Sequence, residues 1–196
     1  CGGNPVNFWD PTGLYEEPEV LVRYAVRQAG GEVGYNSATG RVTVTMPGQP
    51  TIELSEKDYG SYIVNGRMVI KPSNLAKAIY GENATSAQIN QFCVREGQSF
   101  DSEIDAALAF ALWFGPVSRN NKMEYGAAIN RHGDKDYRLQ NIANSHSGDI
   151  VYNSGTEELR VNIVMSQNTV ARIHTHWHPN GSLEHSGGDV DQFSIF

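Results

Sequence analysis

Residues 172–189 read RIHTHWHPNGSLEHSGGD, a stretch holding four histidines, a glutamate, two serines and an aspartate. Imidazole nitrogens and carboxylate oxygens are the donors zinc takes, and a catalytic zinc keeps three protein ligands and leaves one position for water. A β-strand turns residues i and i+2 to the same face. His174 and His176 in R-I-H-T-H therefore project together, close enough to share one ion. Asp189 follows Ser186-Gly187-Gly188 at what reads as a helix N-terminus and supplies the acid that completes the set. Zn2+ is the expected cofactor, held by His174, His176 and Asp189. A second register stays open: His176 with His178, which is followed by Pro179 and has seven residues, rather than nine, between it and Ser186. His178 is thus an alternative ligand, and His178 and His185 are also candidates for outer groups around the ion.

Such a cluster needs elements to hold it. VARIHTH reads as the last of several strand-like segments, after MEYGAAINR, DYRLQNI and ELRVNIVM, with a turn at His132-Gly133-Asp134. Before them FDSEIDAALAFALWFG reads as a long helix capped by Asp101 or Ser102, with Ile104, Ala107, Leu108, Ala111 and Leu112 toward a core. Nearer the start, residues 16–28 read as a helix with Pro18 in its first turn, stopped by Gly30-Gly31. Strand character follows from Glu32 to Ile70, including a hairpin turned at Asn65-Gly66. Two short helices come next, capped by Ser73 and by Thr85 or Ser86. The expected fold class is α+β: a small N-terminal α+β module or linker over 15–96, then a mixed sheet with a long packing helix over 97–196. The boundary is expected at Gly97 to Phe100, and no cluster of catalytic residue types lies before it.

The chain has 196 residues, a net charge of −7 and 39% hydrophobic residues, the composition of an ordinary globular protein. The acidic balance argues against a partner bound through its phosphate backbone. No apolar run approaches the roughly 18–20 residues that span a bilayer, and no signal peptide is visible. Cys1 and Cys93, the only two cysteines, build neither a disulfide framework nor a cysteine zinc site. Since the first residue is not methionine, a cut from a longer polypeptide is expected.

Residues 1–14, CGGNPVNFWDPTGL, are turn-rich. The pattern G-N-P-V-N-x-x-D-P-T-G-L resembles the end of the core of Rhs-repeat proteins, where a DPxGL motif precedes a variable C-terminal toxin. The resemblance implies a cleavage junction at Asp10, Pro11, Gly13 and Leu14, with the cut after Leu14. It also implies that residues 15–196 form an effector tip carried in the Rhs shell of the same polypeptide. Such a tip is secreted into a target cell, acts in its cytoplasm, and is matched by a cognate immunity protein.

A second resemblance covers about residues 99–192. H-T-H, a loop and S-x-x-D, with SEIDAALAF and EYGAAINR upstream, is similar to the JAB/MPN (JAMM) metallopeptidase fold, and more narrowly to a JAB-like family found at Rhs tips. The resemblance assigns His174, His176 and Asp189 to zinc, Glu124 to general base and then acid, and Ser186 to a hydrogen bond with the oxyanion. The implied reaction is hydrolysis of a peptide or isopeptide bond in a protein substrate. Two other readings stand beside it: a metal-dependent nuclease toxin, and a non-catalytic module that only binds a target.

Overall fold

The computed structural model describes residues 16–121, 123–144 and 163–175, and the backbone alone over 150–153 and 156–159. Val20–Leu21 (β1) pairs antiparallel with Arg67–Ile70 (β6), and only then does Val22–Gln28 (α1) begin. The expected helix over 16–28 is therefore shorter. Val20 and Leu21 are buried in a ladder with Ile70 and Val69, and this pairing overrides helical continuation. Gly30 does stop the helix, at φ 82°. Glu32–Asn36 (β2), Arg41–Thr45 (β3) and Ile52–Leu54 (β4) form one antiparallel sheet in that order. Tyr62–Val64 (β5) forms a hairpin with β6 through Asn65 and Gly66, at φ 49° and 74°. Both values match the two-residue turn that suits strand twist.

Pro72–Tyr80 (α2) starts with Lys71 at its cap position, so Ser73 is not the cap. Its amide and hydroxyl donate instead to the Glu17 carboxylate, at 3.1 and 2.8 Å. Ser86–Asn90 (α3) carries the expected cap at Thr85, closed reciprocally with Gln88.

After Ser99–Phe100 (β7) comes the long helix Glu103–Asn121 (α4). Its cap is Ser102, whose Oγ accepts from the Asp105 amide at 3.1 Å. The expected Ala107, Leu108 and Leu112 pack half-buried against the core, but the most deeply buried face lies beside them. Ala106, Ala109, Phe110, Trp113, Phe114 and Val117 are buried, whereas Ile104 is 62% exposed and Ala111 faces solvent. The helix runs on past Gly115, and its heavier aromatic stripe takes the core. Pro116 within it has no N–H to give the Leu112 carbonyl. That carbonyl accepts from the Glu19 amide at 3.2 Å instead, tying the chain before β1 to α4.

Tyr125–Gly133 (β8), Asp136–Asn144 (β9) and Thr169–His174 (β12) join β7 in a four-stranded sheet of order β12-β8-β9-β7. Ile150–Asn153 (β10) and Thr156–Leu159 (β11) make a separate hairpin. The class is α+β as expected. Where a mixed sheet was expected, every described pairing is antiparallel. The strand expected over ELRVNIVM ends early: Ile163 to Ser166 carries no strand pairing, and its carbonyl at Val164 accepts from Asn141 Nδ2 at 2.8 Å.

One hydrophobic core takes residues from both sides of Gly97, from Val20 to Ala171. Tyr24 on α1 stacks obliquely on Phe100, with ring centroids 4.9 Å apart, and donates its hydroxyl to Asp105 at 2.6 Å. Arg23 and Arg27 both reach Asp101, at 2.8 and 2.9 Å. Among the described residues no helix is long and apolar enough to cross a membrane.

Candidate functional site

The candidate site lies where α4 ends and β8 begins. Ser118, buried near the end of α4, accepts through its carbonyl from the Met123 amide at 3.2 Å and donates its hydroxyl to the Met123 carbonyl at 2.6 Å. Tyr125 packs its ring against Phe114, with centroids 5.3 Å apart, and its hydroxyl accepts from Asn121 Nδ2 at 2.9 Å. Across the strand pair, the Thr175 amide donates to the Tyr125 carbonyl at 2.8 Å, and Thr175 Oγ1 accepts from the Tyr125 amide at 3.0 Å. Glu124 stands between Met123 and Tyr125, half-buried.

The register then relates Glu124 to the histidine strand. His174 lies directly opposite Gly126 on β8. Opposed residues of an antiparallel pair share a face, and Glu124 stands two residues before Gly126, just ahead of the start of β8. Tyr125 occupies the alternation opposite to Gly126 and faces α4. The far end of this strand pair is fixed as well. Buried Asn130 donates to Gln140 at 2.6 Å and to Ser166 Oγ at 3.0 Å, and accepts from Thr169 Oγ1 at 2.7 Å. A slip of β12 along β8 would break these bonds and the Thr175 pair together, so the register is held at both ends.

Of the expected site residues, Glu124 and His174 lie among the described ones, and they come to the same end of β8 and β12. His174 is exposed at the end of β12. His176, His178, His185, Ser186 and Asp189 lie outside the described residues, as do Asp10, Pro11, Gly13 and Leu14 of the expected junction. Among the described residues alone, no three His, Cys, Asp or Glu side chains gather as a metal site requires. Sequence reasoning passed over Ser118, Asn121 and Thr175. The signal for Thr175 was its place between the two histidines. Ser118 and Asn121 lay beyond the point where the helix was expected to end.

A second polar cluster sits away from this end. Asp105, 6% exposed, accepts from Arg67 Nε and from the Tyr24 hydroxyl, beside an open groove of about 560 Å³ lined also by Val33, Tyr35 and Met68. Burial pushes the Tyr24 phenol up, and the Asp105 carboxylate it donates to raises it further. The carboxylate is fully engaged by its partners, which is the bonding of a structural ion pair rather than of a reactive group.

No family model matches the chain, and no curated protein or solved structure matches it either.

Proposed function

We propose that the chain is a zinc-dependent amide hydrolase of the JAB-like kind, acting as the toxic tip of an Rhs effector. The observation that supports this most is the register of β8 and β12, which brings the Glu124 segment beside His174 and Thr175 at the end of β12. His174, His176 and Asp189 would hold the ion. Bound there, zinc supplies a Lewis acid that brings the pKa of a water toward neutrality. Glu124 takes the proton of the attacking water and hands it to the leaving amine. Ser186 donates a hydrogen bond to the carbonyl oxygen as that oxygen gains charge.

The substrate on this reading is a protein in the cytoplasm of the target cell, and a cognate immunity protein guards the producer. The D-P-T-G-L junction supports delivery from an Rhs shell. The net charge of −7 stands against a nuclease. The test measures zinc content together with growth inhibition for the wild-type chain and Glu124→Ala. About one zinc per chain is expected in both, with inhibition in the wild type alone. Metal-dependent degradation of added DNA or RNA would instead favour the nuclease.

A further inference from the structure

We propose that Ser118 and Thr175 are positioning residues that hold Glu124 in place from both sides. The proposal rests on Glu124 being the general base of the reading above. Glu124 belongs to a joint, Met123-Glu124, that is neither helix nor strand. A base must come within about 3 Å of the proton it takes, and a misplacement of about 1 Å costs on the order of 100-fold in rate. A carboxylate on a loose joint would not meet that requirement.

Here both neighbours of Glu124 are closed, each by a pair of hydrogen bonds with one residue. Ser118 satisfies both the amide and the carbonyl of Met123, at 3.2 and 2.6 Å. Thr175 satisfies both the amide and the carbonyl of Tyr125, at 3.0 and 2.8 Å. In each pair one of the two bonds is made by a side-chain hydroxyl. Phe114 and Asn121 then pin the Tyr125 side chain to α4. The backbone of the joint is thereby fixed to the helix on one side and to the histidine strand on the other. Because the Thr175 hydroxyl comes from the residue after His174, the same bond ties the base to the strand expected to carry metal ligands.

The test uses the whole chain, expressed at matched levels in a susceptible bacterium, with growth inhibition, zinc content and melting temperature read for each variant. Thr175→Val keeps the shape of the side chain and loses its acceptor oxygen; Ser118→Ala loses its donor. Each is expected to weaken inhibition by about 10-fold or more, at temperatures well below its melting point and with zinc content unchanged. Thr175→Ser, which keeps the hydroxyl, recovers most of the inhibition and keeps the test decisive if Ser118→Ala does not fold. Full inhibition by Thr175→Val and Ser118→Ala, with Glu124→Ala inactive, overturns the positioning role alone. Thr175→Ser as weak as Thr175→Val overturns it too, since the hydroxyl is then not what matters. Zinc lost from Thr175→Val overturns it in favour of a role in the metal strand. Inhibition that survives Glu124→Ala removes the parent reading and the positioning role with it.

Discussion

Single residues carry two kinds of polar work in this chain. At the candidate site, hydroxyls fix the backbone around a carboxylate. At Asp105, a buried carboxylate is itself fixed. Burial alone would raise its pKa, but hydrogen bonds from Arg67 and Tyr24 and the contact with Ser102 outweigh burial and hold it below the ordinary value of 3.8. A carboxylate whose pKa is lower in the folded state adds stability above its unfolded pKa and loses it as pH falls through the folded one. Asp105→Ala leaves Arg67 and the Tyr24 hydroxyl without their partner, at a cost of about 3 kcal/mol. Urea unfolding at neutral pH measures that loss, and repeating it below pH ~4 should show the gap between variant and wild type closing. At this scale the sequence was partly legible. A strand leading into H-T-H was legible, and the register puts His174 opposite Gly126, while His176 lies outside the described residues. The hydroxyl of Thr175 was not legible, because its partner, the Tyr125 amide, is fifty residues away in sequence.

Elements were legible where local chemistry decides them and less so where tertiary contact does. The Asn65-Gly66 hairpin and the Thr85 cap follow from turn and cap chemistry and form as expected. The start of α1 does not, because Val20 and Leu21 find a strand partner that no local pattern reveals. The inward face of α4 was only partly legible: Phe110, Trp113 and Phe114 enter the core more deeply than the expected Ala107, Leu108 and Leu112. The helix continues past Gly115, with Glu19 giving the Leu112 carbonyl a substitute donor. Glycines separate two kinds of constraint. At Gly66, φ is 74° with open space around a built Cβ, so Gly66→Ala costs only backbone strain, about 1–2 kcal/mol. At Gly31 a Cβ would meet Met46 Sδ at 2.4 Å and the Thr45 carbonyl at 2.7 Å. Since one of these atoms is backbone, Gly31→Ala forces β3 away from the end of α1 and is expected to cost more than Gly66→Ala. Thermal melts of the two variants decide the order.

Across the whole molecule, the two segments on either side of Gly97 share their packing. Tyr24 meets Phe100 and Asp105, Glu19 meets Leu112, and the core runs through both. The wild-type chain is accordingly expected to melt in one transition that coincides by near- and far-ultraviolet circular dichroism. A fragment of 97–196 alone exposes the α4 surface that Tyr24 and Val20 cover and should melt lower; equal melting temperatures would show that the segments fold independently. The N-terminal segment thus does more than link: it buttresses the helix whose far end holds Met123 and Tyr125. That far end carries the central claim, which the paired measurement of zinc and growth inhibition in Glu124→Ala tests most directly. A Glu124→Ala chain that holds about one zinc, like the wild type, yet no longer inhibits growth is the expected result. Inhibition undiminished by Glu124→Ala would contradict it.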